Sequence, residues 1–363
     1  MKRALVGTAC AAVFLFGFSC AGVVAQPEKG SVNPTRIDLG TVYTGSIIEG
    51  SFCQKASGGD PNIPFEIVPP PFVKILKRSQ DVAYVGEKSR SLGAADSIEA
   101  TAIFALDTSK AGKFEGAIQV ALGTTKVTIP ITATIEPSRP ERKRVLITFS
   151  PFLAGNAPSP DHFKPWTELA AKQQWDVSLL ANDPAKRVFR QIDLTKYDTV
   201  FLAGDALSTA SAREWKRLNQ YVESGGRLVM ETSRFWGGSV DLANQFLGDK
   251  GLRVRNHESE GNLNKTIVIT RENIDASVAP NAVGQLRFMR VTPIEVLNTV
   301  DGKVLVKAVG IDEKNVGLVV RARYGKGEVI VTGQPLWWNW IGPQWSKGAD
   351  NDKMLAWMLT PRK

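Results

Sequence analysis

The chain has 363 residues, of which 45 are lysine or arginine and 36 aspartate or glutamate, giving a formal net charge of +9 at neutral pH. Such a length suffices for two hydrophobic cores, and the charge is modest for it. The basic residues are scattered, with no aromatic-interleaved stripe, which argues against a nucleic-acid interface. The one run, Arg139, Arg142, Lys143 and Arg144, reads as a solvated interdomain linker.

Lys2 and Arg3 precede an apolar stretch, 4–18, that is too short to span a bilayer comfortably. Val23 and Ala25 then stand before Gln26 and Pro27. Residues 1–25 therefore read as a secretory signal cut after Ala25, and the protein as periplasmic or secreted, with no integral membrane span afterwards. The alternative is a lipid anchor at Cys20, although Gly17, Phe18 and Ser19 before it lack the aliphatic residue of a lipobox. Cleavage takes away Lys2 and Arg3, lowering +9 by two to +7, together with Cys10 and Cys20. Cys53 is then the single thiol, so no disulfide can form within the chain. Its neighbours Ile47, Ile48 and Phe52 predict a buried, inert side chain.

From 32 to 136, short β-rich runs alternate with turn residues and no helical period intervenes. Strands are expected over 41–43, 47–53, 63–68, 98–106, 116–122 and 126–135. In the last, Val127, Ile129, Ile131, Ala133 and Ile135 fall on one face and Thr128, Thr132 and Thr134 on the other. Strands at this spacing predict a β-sandwich. Pro137 and Pro140 end it, since proline removes a ladder donor and fixes φ. The linker, 137–143, has few apolar residues, so the two sides are expected to separate there under limited proteolysis.

A second domain, 144–363, opens on the apolar strand 145–149, followed by a helix over 163–174 with Trp166, Leu169 and Ala170 on one face. Strands at 177–180, 199–203 and 228–230 alternate with helices at 210–223, capped by Gly225 and Gly226, and at 240–247. This order predicts a doubly wound, flavodoxin-like α/β sheet. The remainder is more β-rich, with strands at 252–254, 266–270, 294–297, 304–309, 317–324 and 328–332. The last two form a hairpin around Gly325, Lys326 and Gly327, and an amphipathic helix at 350–359 closes the chain.

Asn33 and Pro34, then Ile37, Asp38, Leu39 and Gly40, the prolines 69–71 before Phe72, then Leu106, Asp107, Thr108 and Ser109, and the run Ala-Gly-Lys-Phe-Glu-Gly at 111–116 resemble Ig-like modules of bacterial envelope proteins. These are grouped as DUF1573 and ASH/HYDIN-type sandwiches. The resemblance covers nearly all of 32–136 and implies a non-catalytic, all-β Ig-like sandwich. The run 221–229 (Tyr-Val-Glu-Ser-Gly-Gly-Arg-Leu-Val), then 244–247 (Asn-Gln-Phe-Leu), 323–329 (Arg-Tyr-Gly-Lys-Gly-Glu-Val), and Asp350 with Asn351 resemble the class I glutamine-amidotransferase-like superfamily. The similarity is greatest to its non-catalytic branch, found in gliding-motility and intraflagellar-transport components and in DUF4350-type envelope proteins. It spans 144–359 and bears on fold more than on function.

An amidotransferase needs a cysteine on a tight strand-to-helix elbow and a histidine oriented by a carboxylate. Here the elbow reads Glu231, Thr232, Ser233, Arg234, and the late loop reads Gly333, Gln334, Pro335, Leu336, Trp337, Trp338, Asn339, Trp340, with neither residue in place. The resemblance therefore implies a protein that is not an enzyme. The alternative is an envelope hydrolase with Ser233 or Thr232 as nucleophile and His257, beside Glu258, as base. No His/Cys/Asp cluster has metal-ligand spacing, and no cofactor is implied.

Asp205, after Ala203 and Gly204, reads as a helix cap, with a ligand contact as the other possibility. Trp337, Trp338 and Trp340, together with Phe235 and Trp236 at the elbow, either stack on a sugar or anchor a partner, or else pack beside Trp357. The candidate cleft is thus Asp205, Glu231, Ser233, Phe235, Trp236, Trp337, Trp338 and Trp340, at the carboxyl ends of the strands. The expected role is binding or scaffolding with an envelope protein, peptide or glycan as partner; a purely structural adaptor is the further alternative.

Overall fold

The computed structural model describes residues 32–59, 62–83, 95–149, 163–181, 192–202, 210–232, 240–255, 266–278, 283–289, 291–333 and 348–360. Residues 1–25, expected to form a signal, with Cys10 and Cys20, and both histidines, His162 and His257, lie outside them.

The first eight strands are β1 (Val32–Asn33), β2 (Ile37–Tyr43), β3 (Glu49–Gly59), β4 (Phe65–Val68), β5 (Val73–Ala83), β6 (Ala95–Leu106), β7 (Gly112–Leu122) and β8 (Thr125–Glu136). They form two four-stranded sheets, ordered β1-β3-β6-β5 and β2-β8-β7-β4. In β8 the alternation read from sequence holds: Ile129, Ile131, Ala133 and Ile135 are buried while Thr128 and Pro130 face solvent. They meet Ile37, Phe52, Phe104 and Ile118 in one core. β2 runs parallel to β8, whereas the other neighbours in these two sheets are antiparallel.

The chain continues through β9 (Lys143–Phe149), α1 (Phe163–Gln173), β10 (Trp175–Ala181), β11 (Thr199–Leu202), α2 (Ala212–Glu223), β12 (Arg227–Glu231), α3 (Val240–Gly248) and β13 (Leu252–Val254). Then come β14 (Thr266–Thr270), β15 (Gln285–Met289), β16 (Ile294–Val296), β17 (Gly302–Lys307), β18 (Val316–Tyr324), β19 (Gly327–Thr332) and α4 (Asn351–Leu359). Nine of these strands make one sheet ordered β10-β9-β11-β12-β19-β18-β16-β13, with β17 also on β18; β14 and β15 form a separate ribbon. The pairs from β10 to β19 are parallel, and every pair beyond β19 is antiparallel.

Successive side chains of a strand point to opposite faces, so this apolar sheet feeds two cores. Leu146, Val200, Leu228, Met230, Val329 and Val331 pack on the side of α2 and α3, against Trp215, Leu218, Val222 and Phe246. Ile147, Phe201, Val229 and Ile330 pack on the side of α1 and α4, in the same apolar cluster as the first two sheets. α2 starts on a capping box, with the Ser211 amide donating to Glu214 Oε2 at 2.7 Å and the Glu214 amide donating back to Ser211 Oγ. Its C-terminus abuts the β18–β19 hairpin so closely that a Cβ on Gly327 would lie 2.2 Å from the Val222 carbonyl oxygen.

The seam between the two halves is continuous. The outer strand β10 is bridged by Ile48 to Leu179: the Leu179 amide donates to the Ile47 carbonyl at 2.7 Å, the Ile47 amide to Ser178 Oγ at 3.0 Å, and the Ala181 amide to Glu49 at 3.1 Å. The segment 137–142, expected to be solvated and easily cut, is tied into the seam. The Ser138 hydroxyl donates to Asp176, and Arg142, 14% exposed, stands 3.8 Å from Asp176 with its guanidinium 3.9 Å from the centre of the Tyr43 ring. Burial pushes the Asp176 carboxyl up, against the pull of Ser138 and Arg142. The expectation of separable halves considered only the linker; the contact is built instead by β2 and β3 against α1 and β10.

Two buried cations and one carboxamide fix the outer elements. Arg227, 2% exposed, donates through Nε to Glu328 at 2.9 Å and through a terminal nitrogen to the Trp357 and Met358 carbonyls at 3.1 and 2.7 Å, closing the end of α4. Lys250, 3% exposed, donates to the Phe246 carbonyl at 2.8 Å and to Asn219 at 2.6 Å, with the Phe246 and Tyr324 rings 3.7 and 4.3 Å away. At the start of α4 the Asn351 side chain accepts from the Arg287 amide at 2.9 Å and donates to the Arg287 carbonyl at 2.7 Å.

The expected fold class, a doubly wound α/β domain behind an all-β Ig-like sandwich, is corrected by this architecture. Strands take 51% and helices 19% of the described residues. The large sheet is mixed, and the front sheets include a parallel pair and share their core with it. The sequence order of strand and helix stops alternating after β13; β19 still joins β12 in parallel, but β14 to β18 pair antiparallel, a pattern that parallel winding does not produce.

Candidate functional site

β9, β10, β11, β12 and β19 run parallel, so their carboxyl ends lie along one edge of the large sheet. Three of these strands carry buried polar residues at or next to that end: Thr148 (1% exposed) in β9, then Glu231 (1%) closing β12 with Thr232 (0%) after it, and Thr332 (0%) closing β19. Glu231 and Thr332 are register partners, and alternation puts both side chains on the face of Val229 and Ile330. The Thr232 amide donates to the Thr332 carbonyl at 2.8 Å, and its hydroxyl lies 3.3 Å from the same oxygen.

Gly333 forms the next knot. Its amide donates to the Leu318 carbonyl at 2.8 Å and its carbonyl accepts from the Thr292 amide at 2.9 Å. A Cβ at this position would stand 1.9 Å from the Thr292 carbonyl oxygen, so only glycine fits where the chain leaves β19. The edge is therefore rigid at the roots of the segments that follow β12 and β19.

Of the residues chosen from sequence, Glu231 is placed here, and Thr232 of the hydrolase alternative beside it. Asp205, Ser233, Phe235, Trp236, Trp337, Trp338 and Trp340 lie outside the described residues, as does His257. Asp205 follows the end of β11, Ser233, Phe235 and Trp236 follow β12, and the tryptophans follow β19. Thr148, Thr292, Thr332 and Gly333 were not chosen; a threonine at or next to the end of an apolar strand was the available signal for the first and third. Cys53 is buried as expected, its thiol pushed up to about 12, mainly by burial. Among the described residues, no three or more His, Cys, Asp and Glu are grouped to hold a metal ion, and no helix is long and apolar enough to cross a membrane.

No family model matches the chain, and no curated protein matches it. Solved structures resemble parts of it. A catalytic mutant of a GH42 β-galactosidase from G. stearothermophilus is 16% identical with a TM-score of 0.37, covering 54% of this chain and 28% of its own. A ThuA-like protein from Bacteroides uniformis is 13% identical with a TM-score of 0.38, covering 62% and 95% respectively. A cytoplasmic protein from Salmonella typhimurium is 12% identical with a TM-score of 0.40, covering 70% and 97%. The chain spans under a third of the length of the first β-galactosidases it resembles, and none of these likenesses conveys an activity to it.

Proposed function

We propose that this is an exported, non-enzymatic envelope protein whose binding or scaffolding role centres on the carboxyl edge of the large sheet. The supporting observation is Thr232, one of the two hydroxyls of the hydrolase alternative: it is fully buried and donates to the Thr332 carbonyl at 3.3 Å, an arrangement that spends its proton on the sheet rather than on a catalytic base. Glu231 and the threonines beside it furnish fixed polar groups, and the aromatic segments that leave this edge carry the recognition. Export rests on the signal-like residues 1–25, and the partner class is an envelope glycan, peptide or protein.

The experiment is tryptophan fluorescence of the purified protein titrated with muropeptides and envelope polysaccharide fragments, alongside Trp338→Ala. A recognition role predicts a weakening by about 2 kcal/mol with the melting temperature unchanged. A variant that binds normally but loses roughly 3 kcal/mol of stability would show that Trp338 packs in a core and sink the reading.

A further inference from the structure

We infer that β5 is a docking edge for an acidic, extended segment of another protein, which joins the front sheet as an added strand. This stands apart from the carboxyl edge and does not depend on it.

The sheet order β1-β3-β6-β5 leaves β5 with a neighbour on one side only among the described residues. The opposite flank of that sheet is the one occupied by the seam, where Ile48 and Glu49 meet β10. β5 is 11 residues long, enough to offer a run of backbone donors and acceptors, whereas β4, the lateral strand of the facing sheet, has 4. Val73, Ile75 and Leu76 turn inward to the core, which anchors the strand. Lys74 and Arg78 are exposed, Lys77 is partly so, and the strand's one carboxylate, Asp81, stands beyond them towards its far end.

The charge decides the occupant. A second copy of the chain pairing β5 antiparallel to β5 would set lysine and arginine against themselves, which is unfavourable across strands. The register shift between Ile75 and Lys77 and the edge lysines are the usual devices against self-pairing. An incoming strand with glutamates or aspartates meets the opposite conditions: main-chain hydrogen bonds supply the affinity, and Lys74 and Arg78 select the sign.

The test uses the full-length purified protein and a fluorescein-labelled peptide alternating threonine and glutamate, with the threonine–lysine peptide as control. Anisotropy should rise with the acidic peptide alone, and backbone amides of 73–80 should gain hydrogen-exchange protection. Lys74→Glu with Arg78→Glu should weaken binding by about tenfold or more. The gentler Lys74→Gln with Arg78→Gln should show a smaller loss in the same direction, and circular dichroism confirms that each variant is folded. Absence of binding, binding that survives charge reversal, protection confined to other strands, or a β5-dependent homodimer in sedimentation would each overturn the inference.

Discussion

Arg227 and Lys250 are buried to the same degree, yet they meet the cost of a buried charge in different ways. Arg227 is held by a carboxylate, Glu328, and by two carbonyls at the end of α4. Burial lowers its pKa while Glu328 opposes the shift. Lys250 has a carbonyl, an amide oxygen and two aromatic faces, but no carboxylate within bonding distance; burial takes its pKa from 10.5 down to about 8, and Asp249 and Glu223 offset this only in part. A planar guanidinium with several donors satisfies several acceptors at once, whereas an ammonium shifts its proton equilibrium when desolvated. The comparison teaches that the α4 side of the sheet is locked by charge and the α2–α3 side is tuned by it.

Breaking the stronger arrangement should have the largest effect. Arg227→Met strands Glu328 and frees the last carbonyls of α4, and should cost about 3–5 kcal/mol in urea unfolding, towards the lower figure because Arg321 stands 3.9 Å from Glu328. A loss under about 1 kcal/mol would mean that Arg321 takes over the role.

Lys250 sharpens the contrast through pH. Its folded pKa lies below its unfolded value, so the unfolded chain binds more protons between about 8 and 10.5, and stability should rise as pH climbs through that window. The rise attributable to this residue is on the order of 3 kcal/mol. Lys250→Met should flatten it, which thermal melts of both proteins from pH 7 to pH 10.5 would reveal as a difference. Parallel curves would show that the amine is not desolvated in solution.

The smallest effect is expected of Asn219→Ala, which removes one acceptor from Lys250 and should cost about 1 kcal/mol near neutral pH. Because the lost bond favours the charged amine, the pH-dependent rise should begin at a lower pH than in the parent protein.

Much of the fold was legible where local pattern and final environment agree. β8 announces its buried face through alternating isoleucines, and α2 announces its end through Gly225 and Gly226. β5 was missed because its sequence, with Lys74, Lys77, Arg78, Ser79 and Gln80, has the polarity of an edge rather than the alternation of a half-buried strand. The seam was missed for a different reason: Ile47 and Ser178 are far apart in sequence and meet through hydrogen bonds that no local pattern encodes. Arg142 looked solvated for the same reason, since its partners are Tyr43 and Asp176. At the site, Glu231 could be chosen because it opens the elbow after the strand 228–230, at the carboxyl end of the sheet. Its pairing with Thr332 depends on β12 and β19 being neighbours, a long-range fact absent from either segment alone.

The Asn351 carboxamide acts as an indexing device for α4. Met354, Leu355 and Met358 give α4 an apolar underside, and such a surface tolerates sliding along a sheet, because one greasy contact is much like the next. A side chain that matches one amide and one carbonyl of the same residue tolerates no such slip. α4 is thus indexed along its axis by this two-point match, with Asp350 accepting from the Gly284 and Gln285 amides beside it, while Arg227 and Thr199 read the carbonyls at the other end of the helix.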